Sequence, residues 1–126
     1  MAIPILKVGT ALVVSMPPAL TDHDLLQLRE SLAAQVGSAR ATGVVIDVSA
    51  LDLLDSFATR MLRGIGETTK LRGAETVIVG IQPDVAFAMV QLGLTFNRVA
   101  TGLDLQEGLD ILAMQQQAKL DRGRRE

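Results

Sequence analysis

Five residues, Val44-Val45-Ile46-Asp47-Val48, constrain the fold more than any other stretch of this chain. They are apolar on both faces of an extended strand, mostly β-branched, and carry one carboxylate near the end. A strand of this kind is stable only when helices cover both of its sides. It is therefore expected to be a central strand, and the rest of the sequence supplies the cover. Short apolar runs alternate with segments whose apolar residues recur at helical spacing, which predicts an α/β fold with a mixed sheet and about four helices, in the order ββαβαβαβα.

The elements follow from local chemistry. Ile3 to Val8 and Ala11 to Met16 flank Gly9-Thr10, which predicts a hairpin with glycine at the positive-φ position. Pro17-Pro18 block regular continuation, and Thr21-Asp22-His23-Asp24 reads as a capping box with Asp in place of the usual Glu. Leu25, Leu28, Leu32 and Val36 then form the apolar stripe of a first helix, with Gln27, Arg29, Glu30 and Gln35 on its wet face and Gly43 closing the connection to the central strand. A second helix runs from Ser56 to about Arg72, with Ala58, Met61, Leu62 and Ile65 facing inward. Glu75 to Ile81 is the next strand. Pro83 at a first helical position and Gly93 just past the end bound a third helix, from Pro83 to Leu92. A short strand around Arg98 to Ala100 precedes a last helix capped by Asp104-x-x-Glu107, with Leu105, Leu109 and Leu112 as its buried stripe. This organisation gives one domain over residues 1–118. The mixed-charge run 119–126 has little apolar content and is expected to be a flexible tail.

Composition removes several functions. The 126 residues carry a net charge of -2, which argues against a nucleic-acid partner. The absence of cysteine excludes disulfides, thiolate catalysis and cysteine-based zinc sites. No signal peptide and no run of about 20 apolar residues is present, so a cytoplasmic protein without a membrane span is expected. The single histidine, His23, lies in the first turn of a helix and leaves no histidine-based triad. Gly64-Ile65-Gly66 falls inside a helical stripe, and no lysine-bearing phosphate loop accompanies it. Phosphoryl-aspartate chemistry of the receiver kind lacks its acidic pair and its lysine. Asp47, Asp52 and Asp55 leave open a magnesium or small-ligand site at one sheet edge, against the plainer reading of a surface loop. No catalytic residue, cofactor or metal is expected.

What remains is the corner at Asp55-Ser56, where a strand and a loop give way to a helix. Either side chain can cap the helix by accepting from a free N–H group. A phosphoryl group on Ser56 would also be welcome there, because the N-terminal end of a helix favours negative charge. Such a modification changes the surface and leaves the fold standing.

The corner and its flanks carry a resemblance. Leu54-Asp55-Ser56-Phe57-Ala58-Thr59-Arg60 is similar to the phosphoacceptor region of STAS domains, the fold of anti-sigma-factor antagonists. Gly73-Ala74-Glu75, the run Val77 to Ala86 and Leu92-Gly93-Leu94 resemble more narrowly the bacterial stressosome proteins of the single-domain RsbS class. Sporulation-type antagonists tend to follow Asp-Ser with a small residue and glycine, whereas Phe57 and Ala58 follow here. The resemblance implies a non-enzymatic scaffold that co-assembles with an RsbR-type sensor paralogue and sequesters an RsbT-type switch kinase. It implies phosphorylation of Ser56 by that kinase, with Asp55, Phe57 and Thr59 as neighbours of the switch, and resetting by an RsbX-type phosphatase. The sensor paralogues carry a second acceptor threonine where this chain has Val79, so no second switch is expected there.

One feature of the sequence bears on assembly independently. The helix from Pro83 is apolar almost all round, which makes Phe87 and Val90 candidates for contact with neighbouring subunits. Arg60 and Arg63 are candidates for kinase contact. The alternatives are a stand-alone antagonist that binds an anti-sigma kinase without a large assembly, and a small enzyme or ligand-binding domain using the acidic loop.

Overall fold

The computed structural model describes residues 3–125. The elements run β1 (Ile5–Val8), β2 (Ala11–Ser15), α1 (Asp22–Ala39), β3 (Gly43–Asp47), α2 (Ser56–Leu71), β4 (Glu75–Val79), α3 (Pro83–Gln91), β5 (Ala100–Gly102) and α4 (Leu105–Arg125). The sheet has the order β1-β2-β3-β4-β5, with β1 antiparallel to β2 and every other neighbouring pair parallel. The strand predicted to be central is central.

Alternation along the strands divides the core in two. Leu12, Val14, Val44, Ile46 and Ile78 point to the side packed by α1, α2 and α3, where Leu25, Leu28, Leu32, Val36, Leu62, Ile65, Val85 and Met89 complete the larger cluster. Ala11, Val13, Val45, Val77 and Val79 point to the other side and meet Leu112 of α4. Gly108 lets that helix settle on the sheet, since a Cβ there would lie 2.8 Å from Val79 Cγ1.

Local signals place most boundaries. Gly9 takes φ +61 in the two-residue hairpin turn, and Gly93 takes φ +70 just past α3. The capping box at α1 is complete: Thr21 Oγ1 accepts from Asp24 N–H and Asp24 Oδ2 accepts from Thr21 N–H. Those bonds hold the Asp24 carboxyl below the usual carboxylate range, chiefly through the Thr21 backbone donor.

Several expectations need correction. Gly43 does more than end a connection: it opens β3, paired with Ala11 and Glu75, and its missing side chain leaves room for Leu112, whose Cδ1 would lie 2.7 Å from a Cβ there. Strand β4 stops at Val79, since Gly80 turns the chain at φ +80. Strand β5 lies two residues later than the sequence implied, paired as Val77↔Ala100 to Val79↔Gly102. Leu105 is exposed; the buried face of α4 is formed by Gly108 and Leu112, with Leu109 and Ile111 half-buried. The charged run from Lys119 continues α4 as far as Arg125, and Lys119 Nζ reaches Glu75 Oε1 at 3.2 Å. No helix among the described residues is long and apolar enough to cross a membrane.

Candidate functional site

The site is the corner between β3 and α2, at the end of the sheet where the parallel strands leave off. Its frame is built by backbone bonds from both neighbouring strands. Met16 N–H donates to Asp47 O at 2.9 Å, and Val48 N–H donates to Val79 O at 2.9 Å. Asp47, the one carboxylate of the central strand, turns its side chain back so that Oδ1 accepts from Ser49 N–H at 2.9 Å. From there the loop is pinned by buried Leu51 and Leu54, while Asp52 and Leu53 stay exposed.

The segment after β4 closes over this loop. Gly80 is required twice, by its positive φ and by space: a Cβ would lie 2.8 Å from Asp47 Oδ1 and 3.2 Å from Ser49 N. Two residues on, Gln82 Nε2 donates to Ser49 O at 2.7 Å, and Pro83 then begins α3. The Gly80-Ile81-Gln82-Pro83 run is thus a brace for the corner. That role was not legible in the sequence, because the Gln82 bond links residues 33 apart.

The division of labour between Asp55 and Ser56 is plain. Asp55 is the N-cap in extended conformation (φ -78, ψ 178), and its Oδ1 accepts from Ala58 N–H at 2.7 Å. Ser56 is the first helical residue and is exposed, so its hydroxyl is not used for the cap. Phe57 is half-buried against the larger core cluster. Thr59, two residues on, lies wholly inside, and its Oγ1 has no hydrogen-bond partner.

The other candidates separate into two regions. Arg60 is exposed and Arg63 half-buried on α2, the helix that Ser56 opens. Phe87 and Val90 lie on α3 and are 66% and 76% exposed, while Val85 and Met89 of the same helix are buried. Gly64-Ile65-Gly66 is mid-helix; Gly66 makes room for Val99, whose Cγ2 would lie 2.6 Å from a Cβ there. Asp52 and Asp55 border a shallow cleft of about 280 Å³ with Asp22 and Pro18. No group of three or more His, Cys, Asp or Glu side chains among the described residues is placed to hold a metal ion. Asp47 Oδ1 and Asp55 Oδ1 each accept from a backbone N–H of the loop or helix start, so both carboxylates take part in holding the corner.

Residues 2–107 match the family profile of the STAS domain. The chain belongs to the STAS domain family. Among solved structures this STAS domain is similar to a Moorella thermoacetica RsbS carrying a serine-to-glutamate substitution, with 37% identity, a TM-score of 0.77, and coverage of 91% of this chain and 97% of that one. A chain from a structure describing the molecular architecture of the stressosome, a signal integration and transduction hub, is 41% identical with a TM-score of 0.72, covering 87% of this chain and 96% of that one. The RsbT co-antagonist protein RsbRD of Bacillus subtilis is 31% identical over 87 residues, which are 69% of this chain and 31% of that protein. The chain thus spans about a third of the length of that relative. The STAS domain described here has the anti-sigma-factor-antagonist fold, with RsbS and stressosome relatives.

Proposed function

We propose that this STAS domain is a non-enzymatic subunit of a stressosome-type assembly in the cytoplasm, and that its state is set by phosphorylation of Ser56. In the unmodified state it holds an RsbT-type switch kinase alongside RsbR-type paralogues. Phosphorylation releases the kinase, and an RsbX-type phosphatase restores binding. The observation that carries this reading is the exposed Ser56 hydroxyl at the first position of α2, left free because Asp55 supplies the cap. A phosphoryl group brings roughly two negative charges to a helix end that favours them, so the modified surface changes and the fold remains. The exposed apolar side of α3, at Phe87 and Val90, supports contact with neighbouring subunits.

Incubation with the cognate switch kinase and ATP tests the assignment. One phosphoryl group mapping to Ser56 is expected, absent from Ser56→Ala, whose circular dichroism stays unchanged. Modification that persists in Ser56→Ala overturns it. Light scattering after mixing with an RsbR-type paralogue tests the assembly: large particles support it, and only small species favour a stand-alone antagonist.

A further inference from the structure

Helix α2 carries more than the switch serine at its start. Ser56, Arg60, Arg63, Glu67 and Lys70 are spaced by four, three, four and three residues, which places them along one stripe of the helix. The lower half of the stripe forms one wall of a groove of about 370 Å³, and Asn97, Arg98 and Val99 from the loop before β5 form the other. Gly66 and Val99 pack together at its base, and Leu71, 90% exposed, stands at its rim.

The charges of this groove are unmatched. The only ion pair among the described residues is Lys119 with Glu75, on another part of the molecule. Arg63, Lys70 and Arg98 set against Glu67 leave two positive charges in the groove, and Arg60, above it on the same stripe of α2, adds a third; since the chain as a whole is -2, the remaining residues sum to -5. Charge is therefore segregated on an otherwise acidic protein, and the segregated face begins at the switch serine.

We propose that this groove docks an acidic segment of a protein partner, its carboxylates meeting Arg63, Lys70 and Arg98 and an apolar side chain meeting Leu71. A protein is favoured over a nucleic acid because Glu67 interrupts the stripe, no aromatic platform lines the groove, and the acidic remainder of the chain repels a long polyanion. Phosphorylation acts on the same surface. A phosphate on Ser56 stands one turn from Arg60 and pairs with it, which draws a cation out of the stripe and adds negative charge at its head. The docking surface is thereby weakened without any change of fold. This inference rests on the proposed function in one respect, that the partner released by phosphorylation is the switch kinase.

The test measures binding of the cognate switch kinase to the full chain by biolayer interferometry at low and high salt. Absence of binding to the unmodified chain defeats the functional reading itself. Given binding, Lys70→Glu and Arg98→Glu are each expected to weaken it about ten-fold or more, with association slowing as salt rises, and Leu71→Ser is expected to speed dissociation. Both cations are exposed, so the variants are expected to fold, and the salt dependence of the unmodified chain is a readout that needs no variant. Binding by both charge reversals within about two-fold of wild type, or salt-independent association of the unmodified chain, overturns the groove and leaves the switch reading standing. A single-stranded oligonucleotide that binds the unmodified chain, displaces the kinase and loses its grip on the Lys70→Glu and Arg98→Glu variants overturns it in favour of a nucleic acid.

Discussion

Gln82 Nε2 donates to the carbonyl oxygen of Ser49 across 2.7 Å, tying the start of α3 to the loop that leads to Ser56. Removing that donor leaves the Ser49 carbonyl to water and frees the loop. Gln82→Ala is expected to lose about 1 kcal/mol of stability, a fall of roughly 4 °C in melting temperature. Amide hydrogen exchange should quicken over residues 49–55 while that of β3 stays slow. Unchanged exchange in the loop would show that the bond does not brace it.

Gly80→Ala is expected to be more damaging. The new methyl group meets Asp47 Oδ1 and the Ser49 backbone nitrogen, and φ +80 is strained for alanine. A loss of about 2–3 kcal/mol is expected in chemical denaturation. Gly64→Ala, with nothing within 4 Å of its added Cβ, is the control and should be neutral or stabilising.

At the corner itself the two neighbours should behave oppositely. Asp55→Ala removes the N-cap and is expected to lower stability by about 1 kcal/mol, whereas Ser56→Ala stays within about 0.5 kcal/mol of wild type. Thermal unfolding of the two variants side by side measures this, and equal losses would mean that the hydroxyl shares in the cap.

Thr59→Val should stabilise the protein. The threonine hydroxyl is fully buried without a partner, so replacing it with a methyl group of similar size removes an unsatisfied polar atom. A gain of about 1 kcal/mol is expected in urea denaturation, and a loss would reveal a bound water or an unrecognised bond.

The α1 capping box sets a pH dependence. Hydrogen bonds from Thr21 lower the folded-state pKa of Asp24 below its ordinary 3.8. The folded state therefore releases this proton more readily than the unfolded state, and the stabilisation is full above the ordinary value. It is lost as pH falls from there through the lowered value. Asp24→Asn should flatten that part of the acid limb of the stability profile and leave the limb above about pH 6 unchanged.

Much of this architecture is legible in the sequence wherever a local rule decides the outcome. The central place of β3 follows from Val44, Val45 and Ile46, the hairpin from Gly9, the start of α1 from Thr21 and Asp24, and the limits of α3 from Pro83 and Gly93. Reading fails where the outcome depends on what an element packs against. Leu105 fits a leucine stripe as well as Leu109 does, but α4 turns Gly108 to the sheet because only a missing side chain permits close approach to Val79. The candidate site divides in the same way. Ser56 stands out by sequence, whereas the assignment of the cap to Asp55 and the brace through Gly80 and Gln82 need the chain in three dimensions. Lys70 and Arg98 escape notice because they belong to different stretches of the chain and share a surface only as lining of the groove.

If Ser56 is modified as proposed, the brace over the corner also decides what kind of object it presents to the enzyme. With Asp47, Ser49, Gly80 and Gln82 interlocked, the serine is offered as the rigid first residue of a helix and not as an extended strand of chain. An enzyme that threads a linear substrate through a cleft has nothing to grasp here, and one that accepts this serine must recognise a shape assembled from three separate stretches of sequence. A synthetic peptide spanning residues 50–62 would carry the same letters and lack that shape, so on the proposed function it is expected to be a poor substrate beside the folded chain.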